Sequence, residues 1–256
     1  MFVPATRSET PPVNDSPLAH ALGLLMTLTV GWPGYLLFNI TGPRKYAAAA
    51  GGRSHFEPLA ALFDNRLSGG AARGDKPLWV VASDLGLLGA AALLIAAVRA
   101  WGALTVLAYY GVPYLVVNAH LVLITFLQHT DVYVPHYRAA QFDWLRGALC
   151  TVDRSFGWPL DAAMHHITDT HVAHHLFSDL PFYHATEATA ALRRALGAYY
   201  LKDETPLLQA TWRAWTQCRF VEDEGDTVYY KNAQAHAAGR PAASGGAAAG
   251  KKGKTA

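Results

Sequence analysis

The sequence predicts an all-α integral membrane protein, a transmembrane helical hairpin joined to a cytoplasmic helical domain rich in histidine. Three observations predict it. The 256 residues are 52% hydrophobic and only 16% charged, where ordinary soluble domains carry about 25% charge. Two apolar stretches, Leu78–Val98 and Gly102–Leu127, lie back to back, each long enough to cross a bilayer. Five histidines then fall within the eleven residues 165–175.

The first 17 residues, "MFVPATRSETPPVNDSP", have no apolar core after a basic start. They read as a polar segment and as neither a secretory signal nor a transit peptide. Residues 18–40, "LAHALGLLMTLTVGWPGYLLFNI", are almost uncharged and form the first part of a membrane region that ends at residue 127. Gly31, Pro33 and Gly34 interrupt this stretch, so it either spans the bilayer or lies kinked at the interface. The Gly- and Ala-rich residues 44–77 read as a polar loop without a catalytic pattern.

The hairpin helices, 78–98 and 102–127, are separated only by "RAW". A hairpin returns the chain to the side from which it came. The preceding loop holds Arg44, Lys45, Arg53, Arg66, Arg73 and Lys76, against Arg99 alone in the turn. The positive-inside rule then places the loop, and everything after the hairpin, in the cytoplasm.

Residues 128–232 have the composition of a folded aqueous domain, in which "EATAALRRALGAYY" (Glu187–Tyr200) has a helical mix of residues. On a helix, positions i, i+3 and i+4 share a face, so His171, His174 and His175 project towards a common point. His165 and His166 approach the same point if the helix continues towards the N-terminus. Neutral imidazole is a ligand for iron, zinc or copper. Three nitrogens from one helix face do not complete a typical catalytic site, and His129 and His136, at the cytoplasmic end of the hairpin, are the candidates to add to them. A single HxxHH is often no more than solvated surface, but ionisable groups clustered beside a membrane are functional by default.

Other features point nowhere. His20, His55 and His236 each stand alone. His120 is either a buried hydrogen-bonded residue or a group behind the ligands, and His184, past a proline, is a surface or outer residue. A net charge of +2 is too small to argue for nucleic acid, and no basic run alternates with aromatics. Cys150 and Cys218 lie outside any CxxC and read as packing residues. Residues 233–256 are of low complexity and too poor in large apolar groups to offset their ordering entropy, which predicts a disordered tail.

With the hairpin, "FLQHT", "DWLRGALCTVDRSFGW" and "HITDTHVAHHLFSDLPFYHATEAT" together, the chain resembles the membrane fatty acid desaturases over about Phe2 to Asn232. Within them it is most similar to the endoplasmic-reticulum Δ12 (omega-6) oleate desaturases. The resemblance implies two irons held by histidines from three boxes and one additional histidine, which activate O2 to remove two hydrogens from an acyl-lipid. It implies electrons from cytochrome b5 and its NADH-dependent reductase, an endoplasmic-reticulum membrane location with the histidine box facing the cytoplasm, and room for a homo-oligomer or a hetero-oligomer with other desaturases. The third box corresponds to His171, His174 and His175, and His129 takes the additional-ligand position. His165, His166, His136 and Asp169 are candidates for hydrogen bonding behind the ligands. Plant relatives read His-Asn where this chain has His165-His166.

The family's first two boxes, HxxxH and HxxHH, precede a stretch like "FVP", and this sequence starts at "MFVP". The expectation is a C-terminal portion of a desaturase, inactive by itself. Three alternatives stand beside it: a non-catalytic truncated paralogue that associates with a full-length desaturase; a hydroxylase, epoxygenase or acetylenase built on the same boxes; and a membrane-tethered zinc site, disfavoured by the lack of cysteine ligands.

Overall fold

A computed structural model describes residues 3–11, 15–42, 54–60, 63 and 76–238. The chain divides into two compact units, one comprising residues 1–3 and 21–123, the other residues 4–20 and 124–256. The structure is helical, with strands of only two residues each. Three helical stretches, Pro17–Phe38, Lys76–Trp101 and Ala103–Leu127, are long and apolar enough to cross a membrane.

Helix α1 (Pro17–Phe38) runs unbroken through Gly31, Pro33 and Gly34, where the sequence suggests an interruption. Helix α2 (Lys76–Trp101) buries none of its 26 residues and is about 39 Å long at 1.5 Å per residue, against a hydrocarbon core of about 30 Å. Leu85, Leu88 and Leu93 stand 64–74% exposed on it. A helix that is apolar around most of its circumference and buries none of its residues has lipid as its natural solvent.

The "RAW" read as a turn is helical, and the junction with α3 (Ala103–Val106) is the single residue Gly102 at φ 85°, ψ 151°, a region essentially confined to glycine. A π-helical turn, Leu107–Gly111, leads into α4 (Val112–Leu127). Within the cationic loop, Ser54–Ala60 and Phe63 are described; the remainder of 44–75 lies outside the described residues.

The second unit collects short elements around the end of α4. Strand β1 (His136–Tyr137) pairs antiparallel with β4 (Thr227–Val228), and β2 (Asp153–Arg154) pairs in parallel with β3 (Lys202–Asp203). Between them lie α5 (Trp144–Leu149), α6 (Trp158–Ala163), α7 (His171–Leu176), α8 (Ala185–Leu196) and α9 (Leu207–Gln217). Asp143 starts α5 by accepting the Arg146 N–H at 2.8 Å, an N-cap. Helix α9 buries Ala210, Thr211 and Ala214, spaced three and four apart as one face requires. The helix expected over 187–200 is α8 followed by a 3₁₀ turn, Gly197–Tyr199. The segment read as disordered from residue 233 starts instead with a short helix, α10 (Ala233–Ala237), because Asn232 caps it through the Ala235 N–H. Residues 239–256 lie outside the described residues.

The core of this unit is half polar. Leu127, Val134, Val152 and Val172 are buried beside Gln128, Asp131, Asp153, Arg154, Asp161 and Thr168. Arg154 is fully buried, and its guanidinium meets Asp131 at 2.7 Å and Asp203 at 2.9 Å. Arg213 joins the same two carboxylates at 2.6 and 2.5 Å. Burial by itself would raise the Asp203 carboxyl, but hydrogen bonds from Thr205 and the Arg154 and Arg213 charges bring it down to about 2.

Breaking a buried pair by removing one partner leaves an uncompensated charge and costs about 3–5 kcal/mol. Arg154→Met is therefore expected to lower the unfolding free energy of the reconstituted protein by that amount, read from denaturant unfolding followed through tryptophan fluorescence. A carboxyl whose pKa is depressed on folding adds stability above its unfolded value and loses it as pH falls through the folded one. For Asp203 this places a loss of stability between about pH 4 and pH 2, and Asp203→Asn should flatten that limb of the pH–stability curve.

Candidate metal centre

Three imidazoles converge in the second unit. His129 lies in the turn after α4, its N–H on the Phe126 carbonyl, while His171 and His175 stand on α7. The Nε2 atoms of the three lie 3.2 Å from one another. Among the described residues they are the one set of three donors close enough to share an ion.

The backbone sets their tautomers. His171 Nδ1 lies 3.0 Å from the Ile167 carbonyl and His129 Nδ1 lies 3.4 Å from the Cys150 carbonyl. A carbonyl only accepts, so each Nδ1 carries the proton and each Nε2 turns a lone pair inwards. Metal-ligating histidines are held in this way. Burial first, and the neighbouring imidazoles after it, lower the pKa of all three: His129 below the ordinary histidine value, His171 well below it and His175 to about 4. Three neutral nitrogens facing one another repel, and a cation among them turns that repulsion into binding. A separation of 3.2 Å suits one first-row ion at about 2.0–2.1 Å from each nitrogen.

A model of the fatty acid desaturase family matches residues 13–205. The chain belongs to that family. It is 44% identical over 250 residues to the Δ12 fatty acid desaturase of Mortierella alpina, covering 90% of this chain and 59% of that protein. It is 44% identical over 240 residues to the endoplasmic-reticulum omega-6 fatty acid desaturase isozyme 1 of Glycine max, covering 91% and 58%. A bifunctional desaturase/conjugase of Vernicia fordii matches at 44% over 230 residues, covering 88% and 56%. The chain thus spans about three fifths of the length of these curated relatives.

The HxxHH of this chain does not converge as one group. At about 100° per residue, His175 lies about 40° around the helix from His171, whereas His174 lies about 60° away on the other side. His174 is accordingly outside the triangle and exposed. It lines a cavity of about 90 Å³ with His165, Met164, Ile167, Phe177 and Phe182. The helix does not extend back to His165 and His166, which adopt left-handed backbone at φ 53° and 61°. His165 stacks on Phe182 with ring centroids 4.5 Å apart. His166 Nδ1 meets Asp169 at 3.1 Å, so these two residues satisfy each other. His136 is mostly buried against Tyr230, its Nε2 has no hydrogen-bond partner, and burial followed by the nearby His129 lowers its pKa to about 4.

The remaining histidines find other partners. His120 Nδ1 contacts the Val116 carbonyl at 2.8 Å, one turn back on its own helix. His184 is exposed beside Glu187, and His236 pairs with Glu222 at 3.0 Å. Neither His20 nor His55 is solitary: His20 is buried beside Asp15 and edge-on to Trp212, and His55 contacts the Leu36 carbonyl at 3.1 Å and the Tyr35 ring.

Sequence reasoning passed over the residues that align the triangle. Gln128 Nε2 donates to the Thr168 carbonyl at 2.6 Å and the Arg154 carbonyl at 3.2 Å, while the main-chain carbonyl of Gln128 accepts from Val152 N–H and the Thr151 hydroxyl. This fully buried amide ties the residue before His129 to the loop that leads into His171. Asp161 braces that loop by accepting from the Phe156 N–H at 2.8 Å and the Thr168 hydroxyl at 2.7 Å. The available signal was a polar residue inside an otherwise apolar run, "LITFLQHT".

This geometry predicts one tightly bound Co2+ or Fe2+ per chain in the reconstituted protein. His129→Ala, His171→Ala and His175→Ala should each abolish it, and His174→Ala should retain it, with metal content measured after gel filtration. Equal loss in all four variants would return His174 to the triangle.

Proposed function

We propose that this chain supplies a metal-holding part of a Δ12 acyl-lipid desaturase, a membrane oxidoreductase that converts oleate to linoleate. The observation that carries the reading is the triangle of neutral imidazoles among residues matched by the desaturase family. Family membership supports iron as the ion. Bound there, iron supplies the capacity to bind and reduce O2 that removal of hydrogen from an unactivated methylene requires.

The protein's share of the work is placement. His129, His171 and His175 hold the ion, and the Ile167 and Cys150 carbonyls keep two of the rings turned inwards. The apolar wall formed by Met164, Ile167, Phe177, Leu180 and Phe182 gives an acyl chain a dry surface beside the histidines. His174, on that wall, is free to join a second ion whose other ligands lie outside the triangle. Electrons come from cytochrome b5 and its NADH-dependent reductase.

The protein sits in the endoplasmic-reticulum membrane with its histidines on the cytoplasmic face, a reading supported by the three apolar helices and by the five cationic residues before α2 with Lys76 at its start. A single cysteine placed by Ala100→Cys, at an exposed helical position beside the turn, in protein whose Cys150 and Cys218 are replaced by serine, should be labelled by a membrane-impermeant maleimide only after sealed microsomes are opened. Labelling of intact microsomes overturns the orientation.

The activity is tested in a chimera. Residues 4–232 replace the matching region of the Mortierella alpina desaturase, and the chimera is expressed in yeast. Linoleate is the expected new fatty acid, and His171→Ala should remove it. A conjugated or hydroxylated product would assign a divergent outcome, of the kind that the name of the Vernicia fordii relative carries. No new fatty acid from a chimera that accumulates in the membrane would favour the non-catalytic paralogue.

A further inference from the structure

Helix α7 is too short to secure itself. It has six residues, and the first N–H groups of any helix have no partner within it. The residue in the usual capping place, Thr170, does not serve: it makes no capping bond, and its hydroxyl donates backwards to the His166 carbonyl at 2.6 Å. A carboxylate from another element serves instead. Asp153 on β2 accepts the Val172 N–H at 2.8 Å through Oδ1, from nineteen residues up the chain. Its second oxygen accepts the Tyr200 hydroxyl. The same Tyr200 oxygen accepts from Arg193 Nε at 3.1 Å, and the Arg193 guanidinium lies over the Tyr200 ring, 5.4 Å from its centroid.

We propose that Asp153 is a positioning residue for the metal-binding histidines, holding the first turn of α7 through Val172 N–H and being held in turn by Tyr200 and Arg193. The juxtaposition is specific. Val172 lies between the ligand His171 and the rest of the box, so a carboxylate fixed on its N–H fixes the direction in which His171 leaves the helix. Both oxygens are engaged and the side chain is buried, so the carboxylate has one orientation to offer. Arg193 stands on α8 and Tyr200 follows it, which gives α8 a say in the geometry of the triangle although none of its side chains belongs to it. The inference rests on the proposal that His129, His171 and His175 bind metal.

The test uses the full chain in lipid nanodiscs, titrated with Co2+, whose visible spectrum reports ligand number and geometry. Loss of a group behind a metal ligand costs about 10–100-fold in affinity, and Asp153→Ala is expected to lose that much, with an altered Co2+ spectrum and faster amide exchange confined to α7. Asp153→Asn keeps an acceptor for Val172 N–H and should recover most of the loss. Tyr200→Phe, which removes one hydroxyl, should lie between. Unchanged Co2+ affinity and spectrum in Asp153→Ala overturns the proposal, as does unchanged exchange at Val172. If His171→Ala binds Co2+ as the unaltered chain does, the metal assignment fails instead, and exchange across α7 in Asp153→Ala alone decides whether the carboxylate holds the helix.

Discussion

A fully buried guanidinium is tolerable only where every charge around it is answered, and the second unit is organised to answer Arg154. Asp131 follows α4, Asp203 lies on β3, and Arg213 is on α9. Arg154 also donates to the Leu127 carbonyl at the last turn of α4. One side chain therefore ties together the end of an apolar helix, a two-residue parallel ladder and the helix that closes the core. Two-stranded pairings this short are marginal by themselves. The β2–β3 pairing is reinforced by the ion network, which joins its register partners Arg154 and Asp203.

The candidate metal centre is built on that network. Arg154 and Gln128 fix the chain on either side of His129, and the adjacent residue in β2, Asp153, holds α7. The backbone carbonyls of Ile167 and Cys150 then set which nitrogen carries the proton in two of the rings, His171 and His129. Imidazoles are kept neutral by burial and by one another, which leaves three lone pairs in a space where a cation is the natural occupant.

Consecutive left-handed residues at His165 and His166 separate α6 from α7 and account for a division within the histidine cluster. Such backbone costs on the order of 1–2 kcal/mol per non-glycine residue. It keeps the helix from extending back over these two residues, turns His165 towards the cavity shared with His174, and leaves His166 to pair with Asp169. One dense run of histidines thus contributes to an imidazole triangle, an apolar cavity and a hydrogen bond between His166 and Asp169.

The amino-acid sequence by itself determined the apolar helices, because a bilayer selects on local composition and length alone, and it determined the histidine spacing and the family to which that spacing belongs. His129 and HxxHH were legible for the same reason. Which imidazoles meet was not, because that depends on where α7 starts and on how the turn after α4 reaches it. The partners of Arg154 lie 23 and 49 residues away in sequence, and those of Gln128 lie 26 and 40 away. No periodicity spans such separations. Only the folded chain brings these groups within hydrogen-bond reach, and there the need to satisfy buried charge selects one arrangement.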